Sequence, residues 1–125
     1  MGKTYSFRHD FIESASVDDI VDVLQNLSPD TTEVSFAYTR LWIHGNEGVA
    51  RIFAAIPDHV TDLNLEDTGL WTRHIIDPAI LESIPDTVVK IDLSDNIFSY
   101  QSKPELYVRI FQSLKSVRYL MIGIF

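Results

Sequence analysis

The chain has 125 residues, of which 46% are hydrophobic, and this predicts a single domain, residues 1–125, with one buried core. A formal net charge of -8 disfavours nucleic acid as a partner, because phosphate backbones are bound by basic surfaces. The chain has no cysteine for a disulfide, a thiolate metal site or a nucleophile, and no run of about 18 apolar residues for a membrane span, so we expect a cytoplasmic protein.

The N-terminal segment, residues 1–10, carries Lys3, Arg8 and Asp10 and has no apolar stretch of signal-peptide length. Its first six residues fit the permissive template for N-myristoylation, in which Gly2 receives the lipid. A coincidental match is the alternative interpretation of this short pattern.

A repeat of 28 to 29 residues organises the rest of the chain. Segments 31–41, 60–70 and 88–98 align with one another, a degenerate copy precedes them, and a copy at 117–125 is cut short. Each full copy follows the pattern L-x-x-L-x-L-x-x-N-x-L, with Asn96 at the Asn position and Thr39 and Thr68 replacing Asn in the two earlier copies. These polar side chains are expected to face inward and bond backbone carbonyl groups of the turn. The inner apolar position recurs at Phe7, Phe36, Leu65, Leu93 and Ile122, which mark the first to the fifth repeat.

Between these segments the apolar residues change from a period of two to a period of 3.6, which predicts one helix per repeat. Ser16 is a candidate N-cap with Asp19 three positions later, and Pro78 and Pro104 suit the first turn of a helix. Proline then ends the helices after Ile56 and Ile84. The predicted core-facing helix positions are Val17, Ile20, Val21, Leu24 and Leu27; Val49, Ile52, Phe53 and Ile56; Ile80, Leu81 and Ile84; and Leu106, Val108, Ile110, Phe111 and Leu114.

With these features the sequence resembles ribonuclease-inhibitor-like leucine-rich-repeat proteins over nearly its whole length. The resemblance implies an α/β fold: a short solenoid of about four and a half repeats, with a parallel sheet on the concave face and helices on the convex face. The sequence of residues 84–96 is also similar to translocated leucine-rich-repeat effectors of the Legionella type; it reads Ile-Pro-Asp-x-Val-x-x-Ile-Asp-Leu-Ser-x-Asn. That similarity implies secretion into a host cytosol and action by binding a host protein or another effector. The chain is shorter than most such effectors and has no appended enzymatic domain, which favours a bare recognition module.

The side chains that alternate with the core residues of each strand should form the concave surface. Its centre is acidic, so we expect it to bind another protein with a basic surface, plausibly an enzyme that it inhibits. Trp42 and Trp71 are 29 residues apart and are expected on the rim as contact residues, the alternative being that they wedge the helices against the sheet. Solvation of the sheet is the alternative role of the acids. The predicted partner-binding residues are Glu33, Ser35, Tyr38, Trp42, Asp62, Asn64, Glu66, Asp67, Trp71, Lys90, Asp92, Asp95, Tyr119 and Met121, flanked by Thr4, Ser6, Arg8, Ala37, Ser94 and Gly123.

A self-associating structural protein and an enzyme are the two alternatives to partner binding. The apolar C-terminal strand, with Leu120, Ile122, Ile124 and Phe125, suggests a self-associating structural protein that forms a homodimer. An enzyme is not expected, although Asp62 and Asp92, placed about 5 Å apart on neighbouring strands, offer a carboxylate pair for acid–base chemistry. No nucleotide-binding or hydrolase motif occurs, and neither a cofactor nor a metal is predicted, because the four histidines have no ligand spacing and are expected in solvent-facing loops: His9, His44, His59 and His74.

Overall fold

The computed structural model describes residues 2–71, 77–96 and 104–122. Five short strands form one sheet in which every neighbouring pair is parallel and the spatial order follows the chain order. Each strand belongs to one repeat, as the sequence pattern predicts. The strands are β1 (Lys3–Ser6), β2 (Thr31–Ser35), β3 (Asp62–Asn64), β4 (Lys90–Asp92) and β5 (Tyr119–Met121). The expectations for Met1, His74, Ile97, Phe98, Gly123, Ile124 and Phe125 lie outside the described residues.

Helical segments connect the strands. Ser16 caps the second of them as expected, because its Oγ accepts a hydrogen bond from the Asp19 N–H at 3.1 Å. Within the described ranges no helix is long and apolar enough to cross a bilayer. The α-helices are α1 (His9–Ser14), α2 (Val17–Gln25), α3 (Gly45–Ala54) and α4 (Pro104–Ser113), and the segments Leu41–His44 and Pro78–Ser83 are 3-10 helices.

The third repeat departs from the predicted α-helix. Its connection, Pro78–Ser83, is a six-residue 3-10 helix. Pro78 starts this segment, and Pro85 disfavours helical backbone at Ile84, so the two prolines confine the connection to a short helical stretch. The predicted core positions are nevertheless buried, since Ile80 and Ile84 are each 7% exposed and Leu81 is 1% exposed.

The core lies between the sheet and the helical segments and repeats along the solenoid. Phe7, Phe36, Leu65 and Leu93 are buried at the inner position of the first four repeats, and Ile122 of the fifth is partly buried. The Phe7 and Phe36 rings stack with their centroids 4.6 Å apart. The predicted register of the core is therefore confirmed.

The inward-facing polar residues are also buried and hydrogen-bonded as expected. The Thr39 hydroxyl donates to the Phe36 carbonyl at 2.6 Å, and the Thr68 hydroxyl donates to the Leu65 carbonyl at 2.8 Å. Asn96 Nδ2 donates to the same Leu65 carbonyl at 2.5 Å, although Leu65 belongs to the preceding repeat. Thr39 and Thr68 thus close the turn of their own repeat, and Asn96 joins the turn of its repeat to the preceding one.

The predicted core face of α4 is wrong in part. Val108 and Phe111 are 48% and 54% exposed, whereas Tyr107, which was not assigned to the core, is 3% exposed. Tyr107, Ile110 and Leu114 are spaced i, i+3 and i+7, so they lie on one helical face and fill the core. Val108 and Phe111 lie off that face, on the exposed surface of α4.

Candidate functional site

The strand register aligns the outward-facing side chains of the sheet into two rows. We call them the first row, which passes through the strand starts, and the second row, two residues further along each strand. The core residues between the rows, Val34, Leu63 and Ile91, are at most 2% exposed and lie on the opposite face. The first row is Thr4, Glu33, Asp62, Lys90 and Tyr119, and the second row is Ser6, Ser35, Asn64, Asp92 and Met121.

The expected carboxylate pair of Asp62 and Asp92 is not formed. Asp62 lies opposite Lys90, and Asp92 lies opposite Asn64. The third and fourth repeats are offset by 28 residues, so Asp92 is two residues beyond the partner of Asp62 and is a diagonal neighbour about 7 Å away. A lysine therefore faces Asp62 across this ladder, while the register partner of Asp62 on β2 is Glu33.

The second row forms the turns at the ends of the central strands. Ser35 Oγ accepts a hydrogen bond from the Ala37 N–H at 3.2 Å, while Asn64 Oδ1 and Asp92 Oδ1 accept from the N–H groups of Glu66 and Ser94, each at 2.9 Å. Such contacts, from a side chain to the backbone two residues on, stabilise tight turns. The second row therefore has a structural role.

Directly after these turns the chain adopts left-handed backbone at the same position of three repeats. The φ angles are 62° at Tyr38, 48° at Asp67 and 62° at Asp95. Aspartate tolerates this conformation, whereas for tyrosine it is unusual. The three residues form what we call the strand-end row, and this row is the C-terminal rim of the sheet.

Negative charge dominates the sheet face and its rim. Hydrogen bonding to Glu66 and the charges of Glu66, Asp95 and Asp67 raise the pKa of the exposed Tyr38 phenol above its usual value. Lys90 is the one cation among the described residues of the predicted site, whereas its acids are Glu33, Asp62, Glu66, Asp67, Asp92 and Asp95.

The ion pairs within the described ranges lie elsewhere. Each joins an arginine or lysine to an acid outside the predicted site, so the carboxylates of the site have no cation within 4.0 Å in this part of the chain. The pairs are Lys3 with Asp30, Arg8 with Asp10, Arg40 with Glu13, Arg51 with Asp18, and Arg109 with Asp77.

The two tryptophans occupy different environments although they share a repeat position. Trp42 is partly buried in the 3-10 helix Leu41–His44 and borders a pocket at the rim. Trp71 is 3% exposed and belongs to the hydrophobic core, so the expectation that it lies on an exposed rim is wrong. Two residues at the same position of successive repeats can differ in solvent exposure. Here residues 70–71 form a turn, whereas the preceding repeat has a 3-10 helix at this position.

The structure also corrects the placement of two histidines. His44 Nε2 lies 2.8 Å from the Ile12 carbonyl and His59 Nδ1 lies 2.7 Å from the Thr31 carbonyl, and both rings are half-buried. A carbonyl only accepts, so each ring donates an N–H to the preceding repeat. Among the described residues no group of three histidine, cysteine or acidic side chains is arranged to hold a metal ion.

Comparison with known proteins identifies the fold. No family model and no curated protein matches the sequence. The structure is similar to the crystal structure of LegL7, a leucine-rich-repeat-containing protein from Legionella pneumophila, with a TM-score of 0.83 and 24% sequence identity. The match covers 97% of this chain and 38% of the other, so the chain spans well under half the length of that protein. The fold is therefore a leucine-rich-repeat solenoid of the predicted α/β class.

Proposed function

We propose that this leucine-rich-repeat chain is a protein-binding module whose acidic sheet face receives a basic surface of another protein. The supporting observation is the open face itself. Parallel sheets are normally covered on both faces, but among the described residues the side chains of the first row are partly or fully exposed. This face presents the acids of the first row and of the rim, and Lys90 is the one cation among these described residues.

The negative charge of this surface favours the approach of a basic partner. Carboxylates without a nearby cation create a negative potential, which steers a basic partner into contact and raises the rate of association. The strand-end row adds side chains whose backbone is already fixed, so that less conformational entropy is lost on binding. The exposed Tyr38 and the partly buried Trp42 supply aromatic contact area of the kind that dominates many interfaces.

We further propose that the module is a bacterial effector that occludes or inhibits its partner, either a host protein in the host cytosol or another effector enzyme. Two observations support this assignment: the sequence of residues 84–96 resembles that of Legionella-type effectors, and the fold is similar to that of a Legionella protein. Occlusion is favoured over catalysis, because the depression lined by Glu33, Asp62 and Asp92 has a volume of only about 50 Å³, far below that of a typical ligand pocket.

The test is quantitative capture from a host-cell lysate and from a bacterial lysate with three forms of the chain. The sheet variant combines Asp62→Lys with Glu66→Lys. The control combines Asp58→Lys, in the turn after α3, with Glu82→Lys on the helical side, and carries the same change of charge. A partner that is stoichiometric with the wild type and the control but lost from the sheet variant is expected. Equal capture by all three folded forms, or no stoichiometric partner in either lysate, would contradict the proposal.

Self-association is the second candidate, favoured by exposed apolar side chains of the last described repeats. Phe111 is 54% exposed, Tyr119 is 65% exposed and Met121 is 43% exposed. Phe111 has the same helix position as Phe53, which is fully buried beneath the repeat that follows it. Sedimentation velocity of the wild type and of Phe111→Lys tests this candidate: a dimer that the substitution dissolves supports it, and a monomer across the concentration range excludes it.

A further inference from the structure

A pocket of about 320 Å³ lies on the rim where the second and third repeats leave the sheet. It opens between the C-terminal ends of β2 and β3, beside the strand-end row. Its volume lies at the lower end of the range of ligand pockets and is sufficient for one amino-acid side chain. The described lining residues are Tyr38, Thr39, Arg40, Trp42, Asp67 and Gly69.

Hydrogen bonds hold the walls of this pocket in place. The Tyr38 N–H donates to the Glu66 carbonyl and the Asp67 N–H donates to the Ser94 carbonyl, each at 2.9 Å. Thr39 is anchored through its hydroxyl, and Gly69 is buried with a φ of 71°, which suits glycine. The pocket is therefore preorganised, and its aromatic and acidic side chains stand on a backbone that binding need not rearrange.

The charges in and around the pocket favour a cation. Arg40, which also lines it, has its Nε 3.2 Å from Glu13 Oε1 in an exposed ion pair, so part of its positive charge is offset. The Asp67 carboxylate has no cation within 4.0 Å among the described residues, and Glu66 and Asp95 lie close enough for their charges to act on the Tyr38 phenol. Aromatic rings attract a cation to their faces, and guanidinium is the cation that both stacks on rings and bonds carboxylates through two N–H groups.

We propose that this pocket receives a single arginine side chain of the partner, with the guanidinium bonded to Asp67 and packed against Tyr38 or Trp42. The inference rests on the proposed function and deepens it, since it assigns one specificity-determining contact within the wider acidic surface. A neutral side chain of the same shape would forgo the contact with the carboxylate, and an anion would meet the negative potential of the rim.

The two tryptophans provide a direct test. Each gives one indole N–H signal in a nitrogen-labelled spectrum, and Trp42→Phe assigns the pair. Titration of the full chain with N-acetylarginine amide is expected to shift the Trp42 signal saturably and to leave the signal of the buried Trp71 unchanged. N-acetylcitrulline amide, which has nearly the same shape but no charge, is the matched ligand control and is expected to bind about tenfold more weakly or not at all.

Two variants test which carboxylate binds the guanidinium. Asp67→Asn removes the charge and keeps a residue that tolerates positive φ, so the fold is retained and arginine binding should weaken about tenfold. Asp95→Asn makes the same change at the equivalent position of the next repeat and should weaken binding about twofold or less. An unmoved Trp42 signal, equal effects of the two variants, equal binding of the citrulline compound, or a saturable Trp42 shift produced by inorganic phosphate instead would each overturn the inference.

The two proposals fail in distinguishable ways. If lysate capture depends on the sheet acids but arginine leaves Trp42 unmoved, the protein-binding function stands and the arginine pocket is wrong. If arginine moves Trp42 but no partner is captured, the pocket binds cations and the proposed function is wrong.

Discussion

Asn96 of the fourth repeat and Thr68 of the third are in contact through their side chains, since the Thr68 hydroxyl, whose one proton is shared between the Leu65 carbonyl and Asn96 Oδ1, lies 3.0 Å from that amide oxygen. Both residues are fully buried. The same Asn96 oxygen also accepts the N–H groups of Thr68 and Leu70, and its amide nitrogen donates to the Leu65 carbonyl. One side chain therefore satisfies the backbone of two adjacent turns, which makes it a strong determinant of stacking between repeats.

Replacement of Asn96 should destabilise the fold. Asn96→Ala leaves several buried backbone groups without partners, and we expect a loss of about 2–4 kcal/mol in the free energy of unfolding. Urea denaturation followed by circular dichroism measures it. Asn26→Ala, at the exposed end of α2, is the matched control and should cost less than about 1 kcal/mol. A similar loss for both variants would argue against the bridging role of Asn96.

The aromatic ladder of the core gives a second prediction. Phe36 is fully buried and stacks on Phe7, so Phe36→Ala should lower the free energy of unfolding by about 3–5 kcal/mol. Phe111→Ala removes the same atoms from an exposed site on α4 and should cost about 1 kcal/mol or less. Chemical denaturation of both proteins checks the difference, and costs within error of each other would refute the assignment of these two burial states.

Substitution of the two tryptophans should have different effects: one mainly on stability and the other mainly on binding. Trp71→Ala is expected to cost about 3–5 kcal/mol of stability, because it empties a core site. Trp42→Ala should cost less, and should mainly weaken binding of the captured partner. Fluorescence quenching by iodide on single-tryptophan forms provides an independent measurement: the Trp42 form should be quenched more than the Trp71 form. Equal quenching would mean that the two environments are alike.

The ionisation of Tyr38 should report the negative potential of the rim. Its pKa is raised in the folded chain, so Tyr38 should lose its proton at higher pH than an ordinary tyrosine does. Because the folded value exceeds the unfolded one, the stability contribution of this group is present below the unfolded pKa and lost as the pH rises through the folded pKa.

An NMR titration of labelled tyrosine measures that pKa. Glu66→Ala removes both the hydrogen-bond acceptor and the charge of Glu66 and should move the pKa of Tyr38 back toward the usual value, while Glu82→Ala on the helical side should leave it unchanged. A wild-type value equal to that of a free tyrosine would show that the rim acids do not act on this phenol.

Much of the fold could be predicted because the repeat constrains each segment several times over. A spacing of 28 or 29 residues between Phe7, Phe36, Leu65, Leu93 and Ile122 is compatible with a stack of parallel strands, and the polar residue of each turn follows from the carbonyls it must bond. The type of helix in each connection was harder to predict: the third repeat has a 3-10 helix, whereas α1, which also has six residues, is α-helical.

The candidate site depended more on the tertiary structure. The sequence determined which side chains alternate with the core, because strands have a period of two, and hence which acids lie on the open face. The spacing of 28 residues between Leu65 and Leu93 already implies that Lys90 faces Asp62, and the structure has this pairing. Only the structure decided that Trp71 enters the core while Trp42 borders a pocket with Tyr38 and Asp67, because burial depends on how neighbouring repeats pack and not on position within a repeat.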